Sequence, residues 1–319
     1  MEESYHETAD QLSYRKYIPW VTVFIGVFSI ALFIGINTES NAYSWASYKK
    51  WGAATPDDVW NGAWWALFTS NFLHTEIWHI GFNLYWIWIF GKKIEHESSK
   101  LFYIGFVFTS AFMSCIFQLS FSDNTGIGLS GIAYAFFGFI FIQQKTNAQY
   151  SETIDKNTIN WFIAWFFICI ALTYANLWQV ANGGHAGGLF WGLLVGYLYR
   201  FQRAVSIGLS TLILGIASIS LFWAPWSIGW LSNKAYNLHA EQKVDEAKAL
   251  YLIILSKDPE NVFAKGNLQQ LKIHQLQKKA YDAHLKKDYK EALRLYKEVL
   301  TIDSTNEYAK VNMYSLPTP

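Results

Sequence analysis

Two polar side chains sit in apolar surroundings where each is of little use without the other. Ser130 lies in the run GIGLSGIAYAFFGF, from Gly126 to Phe139, and His185 in NGGHAGGLFWGLLVG, from Asn182 to Gly196. A serine hydroxyl is a weak nucleophile until a base takes its proton, and an imidazole is the commonest such base. Ionisable groups inside an apolar span are functional candidates by default. Gly128 and Gly131 flank the serine, so another backbone can come close to it. A helix starting at GLSG also turns free N–H groups and its positive dipole end toward a developing oxyanion. Taken alone, G-x-S-G reads equally as a helix cap beside a packing face of Gly131, Ala135 and Gly138.

The histidine run changes that balance. Glycines 184, 188, 192 and 196 recur every four residues and clear one helix face for close backbone approach. Laying this face, with Gly188 and Gly192, on the small-residue face of the serine helix brings Ser130 and His185 to similar depth. Tyr134, one turn below the serine, then packs under the imidazole. A third run, TSNFLHTEIWHIGFNLYWIWIFGKKIE from Thr69 to Glu95, carries His79 and Asn83 at i, i+4 on one face. Their side-chain N–H groups, with the Ser130 amide, suit a tetrahedral intermediate. His74 falls in the preceding loop and is expected to play a structural part. The segment HTEIWH is not the H-E-x-x-H of zinc proteases, because five residues turn the second histidine about 140° away. No metal and no cofactor is expected.

These residues need spans to hold them. The chain has 319 residues, 52% apolar and 18% aromatic, and 159–199 contains no Asp, Glu, Lys or Arg. Apolar runs of spanning length occur at about 18–36, 77–91, 101–121, 127–143, 159–178, 184–199 and 205–231. The charged residues concentrate after position 233. The expected fold is therefore all-α: a polytopic membrane helix bundle followed by a soluble helical-repeat domain. Its expected parts are an N-terminal cytoplasmic segment 1–17, a membrane core 18–200, an additional spanning helix 201–232 and a repeat tail 233–319. Basic residues place the N-terminus in the cytoplasm and, with seven spans, the tail outside it. The polar, acidic start gives no sign of a cleavable signal peptide. A net charge of +1 argues against nucleic-acid partners. Cys115 and Cys169 read as packing residues.

Within the tail, 235–261 aligns with 280–306, and Ala235/Ala280, Tyr236/Tyr281, Ala247/Ala292 and Tyr251/Tyr296 recur at an interval of 45. The pattern resembles tetratricopeptide repeats, with surplus residues that a lengthened helix would absorb in phase. A protein partner on this tail is the corresponding expectation.

Together GLSG, H-x-x-x-x-H-x-x-x-N over His74–Asn83 and H-x-x-G-x-x-x-G over His185–Gly192 resemble the rhomboid intramembrane serine proteases over about 18–200. The resemblance implies a six-span core, Ser130 as nucleophile, and His185 as general base and then acid without an aspartate. It also implies an oxyanion hole of His79, Asn83 and the Ser130 amide, with transmembrane protein substrates and the lipids of a cell membrane as partners. FGKKIE, Phe90–Glu95, matches the turn closing the second span. One departure is Trp65-Ala66, where the family usually has Trp-Arg; it bears on the order of the first loop rather than on the chemistry. The aromatic fifth span, with Trp161, Phe162, Trp165, Phe166 and Phe167, is a candidate gate for a substrate helix. Rival readings are a catalytically silent relative that binds membrane clients and a transporter using the histidines as a proton relay.

Overall fold

The computed structural model describes residues 9–122, 124–151 and 153–317; residues 1–8 of the expected N-terminal segment lie outside them. Among the described residues there are helices and loops and no strand. The chain divides into two compact units, Met1–Ser227 and Ile228–Pro319.

The first unit runs α1 (Ala9–Lys16), α2 (Trp20–Ile36), the short loop helices α3 (Trp45–Lys50), α4 (Pro56–Trp60) and α5 (Ala66–Thr69), then α6 (Ile77–Trp86). A π-helical turn over Ile87–Gly91 joins α6 to α7 (Lys92–Glu97). There follow α8 (Lys100–Phe121), α9 (Ser130–Gln143), α10 (Lys156–Tyr174), α11 (Asn182–Leu198) and α12 (Arg203–Ser218). By length and composition, Ser13–Ile36, Lys100–Phe121, Lys156–Tyr174 and Arg203–Leu221 are long and apolar enough to cross a membrane.

The central helix, α9, has 14 residues, and Ile132 to Ile140 are buried without interruption. A helix apolar on every side belongs in the middle of a bundle. Its length of about 21 Å is also short of a hydrocarbon layer of about 30 Å. The expected span at 127–143 thus loses its first turn: Gly126 and Gly128 take φ +66° and +106°, and the helix begins only at Ser130. That late start sinks the serine into the bundle. The last apolar run, expected over 205–231, is helical over Arg203–Ser218 with a 3-10 turn to Leu221, and Pro225 follows in the loop.

Two features fix the frame around α9. Glu95, at 2% exposure, reaches from α7 to the start of α2 and accepts hydrogen bonds from the Val21 and Thr22 amides and the Thr22 hydroxyl. It supplies the cap that Pro19 cannot, since an α-helix start leaves orphan N–H groups. The long loop between α2 and α6 is held by a Thr55–Asp58 capping box, by Lys49–Asp58 at 2.7 Å, and by the Thr125 hydroxyl donating to the Ala54 carbonyl at 2.8 Å. Ala66 is buried with Val59, Leu67, Ile116 and Leu119, so apolar packing organises this loop.

The second unit is helical throughout its described length: α13 (Ile228–Ala240), α14 (Val244–Lys257), α15 (Val262–Leu285), α16 (Tyr289–Ile302) and α17 (Glu307–Tyr314). Both ends of α14 recur 45 residues later as the ends of α16, and α15 and α17 start 45 apart. The 24-residue α15 is one continuous helix whose last 13 residues correspond to α13. Positions 235/280, 247/292, 251/296 and 264/309 are each 0% exposed in both members. The same interval separates the positive-φ residues Gln242 and Lys287, and the N-cap residues Asn261 and Asn306.

Candidate active site

Glycines decide how α9 and α11 meet. A Cβ on Gly188 would strike the Gly131 carbonyl, one on Gly192 the Ala135 carbonyl, and one on Gly196 the Phe139 carbonyl. Contact advances four residues at a time along both chains, so the two helices run parallel with backbone against backbone. Only glycine allows this approach. The register puts the first turn of α9 beside the first turn of α11. His185 Nε2 lies 2.8 Å from Ser130 Oγ, a hydrogen bond whose donor depends on the imidazole tautomer.

The imidazole is 4% exposed and stands 4.7 Å from the Tyr134 ring, tilted by 31°. The Tyr134 hydroxyl donates to the Phe162 carbonyl of α10 at 3.2 Å. Nδ1 of His185 has no hydrogen-bond partner among the described residues. The tautomer that accepts from the serine at Nε2 carries its own proton on Nδ1, and no carboxylate among the described residues meets it there.

Asn83 and His79 arrive from α6. One Nδ2–H of Asn83, at 5% exposure, bonds His74 Nε2 at 2.9 Å, and the Leu129 amide donates to the same nitrogen at 3.2 Å. His74 Nδ1 pairs with the Phe72 carbonyl at 3.1 Å, which fixes Nε2 as the acceptor. His74 therefore ties the asparagine to the residue before the serine. His79 packs edge-on to His74 with centroids 4.8 Å apart, and a Cβ on Gly128 would come within 2.5 Å of its ring. Gly128 is thus required twice, by its φ and by the histidine beside it.

Sequence reasoning overlooked the part played by α8. Gln118, 2% exposed, accepts from the Gly184 amide at 3.0 Å and donates to the Asn124 side chain at 2.7 Å, fixing the start of α11. Ser114, one turn earlier, fills the space where a Cβ on Gly131 or Gly184 would be. Ser114 and Gln118, polar residues at i, i+4 in the largely apolar run of α8, were the signal available. Thr173, near the end of α10, accepts from the Asn182 side chain at 2.9 Å and the Val180 amide at 3.2 Å, tying the loop before α11 to α10.

Two cavities meet at the serine. One, of about 420 Å³, is lined by His79, Asn83, Ser130 and His185 with Tyr48, Trp165 and Trp178 around it. The other, of about 390 Å³, lies between α6 and α10, lined by Phe82, Trp86, Trp161 and Phe162, and also reaches Ser130 and His185.

Residues 61–202 match the family model described as Rhomboid domain. That stretch contains Ser130, His185, His79, Asn83, His74 and Tyr134. The chain is 32% identical over 140 residues to "Rhomboid protease GlpG" of Salmonella choleraesuis (strain SC-B67), covering 42% of this chain and 48% of that relative. The protein of the same name from Salmonella newport (strain SL254) is 31% identical over the same shares. The chain spans about half the length of the curated relatives it matches. These findings support the rhomboid family and a multi-pass membrane protein.

Proposed function

We propose that this protein is an intramembrane serine endopeptidase that cleaves transmembrane helices of membrane proteins with a Ser130–His185 dyad. The observation that carries the reading is the 2.8 Å Ser130 Oγ–His185 Nε2 contact at the meeting of two cavities. A peptide bond in a spanning helix is shielded because its carbonyl is bonded and water is scarce. Its cleavage needs a serine set below the outer rim with room for an unwound segment.

In this mechanism Ser130 Oγ attacks the scissile carbonyl while His185 Nε2 takes its proton. The oxyanion is met by the Ser130 amide at the first turn of α9, by the second Nδ2–H of Asn83 and by His79. His185 then gives the proton to the leaving amine, and water, deprotonated by the same nitrogen, releases the acyl group. Tyr134 holds the imidazole plane in place of a third polar member. A substrate helix enters between α6 and α10, with Phe162 and Trp161 on its path.

The N-terminus lies in the cytoplasm of a cell-membrane protein, and α12 is a seventh span that puts the second unit on the other side. The second unit is a tetratricopeptide-like tail that recruits substrates or a protein partner; a chain lacking only the tail then cuts its native substrates more slowly.

Fluorophosphonate labelling of the purified protein in detergent tests the dyad. Labelling of the wild type, lost in Ser130→Ala and in His185→Ala at unchanged helical content, supports it. Equal labelling of wild type and Ser130→Ala removes it, and an unlabelled serine in a protein that binds but does not cut a transmembrane substrate favours the silent relative.

A further inference from the structure

Along its first half, α12 is tied to α11 by the Ser206 hydroxyl, which donates to the Leu198 carbonyl at 2.6 Å, and a groove opens beside that contact. None of its residues is buried; Ile213, Leu214 and Ala217 pack partly against the central cluster, and Leu221 beyond them is buried. Nearer its start a groove of about 600 Å³ separates α12 from α8 and α11. Its walls are mainly apolar, with Phe102, Phe106, Trp191, Val195 and Leu214 among them, and Trp191 uses its only donor on the Thr109 hydroxyl at 2.9 Å. The groove is lined by no Asp or Glu, while Arg203 lines the end where α12 begins.

We propose that this groove binds one anionic phospholipid, an acyl chain lying between α12 and α8 and the phosphate held by Arg203. Basic pockets between spanning helices bind anionic headgroups, and the charge at this end complements one. A mainly apolar groove facing hydrocarbon takes an acyl chain at little cost, since the lining hydroxyls of Thr109 and Ser206 already donate to the Gly105 and Leu198 carbonyls. A free phosphate ion would use the arginine alone and leave the groove idle. The inference depends on the chain being a membrane protein and is independent of the protease reading.

The structure also supplies a way to close the groove. Gly105 lines it, and a Cβ there meets nothing within 4 Å, so Gly105→Leu projects a side chain into the space without a clash. Leucine is also the better helix former.

The test is native mass spectrometry of the delipidated full-length protein titrated with dioleoyl phosphatidylglycerol, dioleoyl phosphatidylcholine or inorganic phosphate. Gly105→Leu and Arg203→Gln are measured beside the wild type, each first shown to have wild-type helical content. The wild type is expected to hold phosphatidylglycerol in preference to phosphatidylcholine, with phosphate unable to displace it. Arg203→Gln loses about fivefold of that preference, and Gly105→Leu loses both lipids. Equal retention of the two lipids by the wild type, displacement by phosphate, or phosphatidylglycerol binding undiminished in Gly105→Leu overturns the proposal. So does a Gly105→Leu variant whose one change is from dimer to monomer, because the occupant is then a second copy.

Discussion

The contact between α9 and α11 and that between α15 and α16 bring two helices together by opposite means. In the first, parallel helices meet backbone to backbone through glycines at every fourth position, and side chains are cleared away. In the second, antiparallel helices joined by a short loop bury Ala280, Ala292, Leu295, Tyr296 and Val299 between polar outer faces. The difference follows from the solvent. Lipid tails are as apolar as leucine, so burying leucine gains little in a membrane and close packing holds helices together. In water, removing apolar side chains from solvent is the main driving force. One consequence is functional: the close contact leaves no freedom of register, and that fixes Ser130 opposite His185.

The sharpest way to break this comparison is to add volume to the membrane contact. Gly188→Leu is expected to abolish the folded first unit, because the obstacle is the Gly131 carbonyl and a backbone cannot rotate aside as a side chain does. A thermal melt in detergent and fluorophosphonate labelling measure it; a labelled, cooperatively melting variant would show that the approach is looser than described. The opposite change, removing volume, should be the damaging one in the tail. Tyr251→Ala or Tyr296→Ala, at positions fully buried in the second unit, should cost about 3–5 kcal/mol in its denaturant unfolding and leave Ser130 labelling intact.

Within the site, Asn83→Ala should lower cleavage about a hundredfold or more while the protein stays folded. A fall in substrate affinity at unchanged turnover would instead make Asn83 a binding residue. Asn306→Ala removes the hydrogen bond from the Ala309 amide at the start of α17 and should lower tail stability by about 1 kcal/mol. The smallest expected effect is a pH dependence. Hydrogen bonds from Thr305 and Asn306 hold the exposed Asp303 carboxyl below its ordinary value. A lowered folded pKa gives stability that is present above the unfolded pKa and is lost as pH falls through the folded one. The tail's Tm should therefore drop as pH falls below the ordinary carboxylate value of about 4, and Asp303→Asn should flatten that limb.

Much of the site could be read from spacing. The serine between glycines, the four-residue glycine interval before and beyond Gly188, and His79 with Asn83 on one helix face were all visible as local pattern. What escaped were relations between distant residues. Nothing in the sequence tells that His74 accepts hydrogen bonds from both Asn83 and Leu129, or that Gln118 caps the start of α11. Such bonds depend on which helices become neighbours. Helix ends were less legible for a similar reason: α9 starts at Ser130 because Gly126 and Gly128 take positive φ under Ala181 and His79, and a window of apolar residues carries no sign of that. In the tail the 45-residue interval was plain, and its surplus appears as the uninterrupted α15.

The most direct test of the central claim is cleavage of a single-span substrate by the full-length protein in lipid nanodiscs, with Ser130→Ala and His185→Ala alongside and a disulfide cross-link placed between α6 and α10. The account predicts a cut within the substrate's spanning segment by the wild type, none by either variant, and restoration of cutting when the cross-link is reduced. Cutting by Ser130→Ala, or a wild type that binds the substrate and never cuts it, would contradict the account.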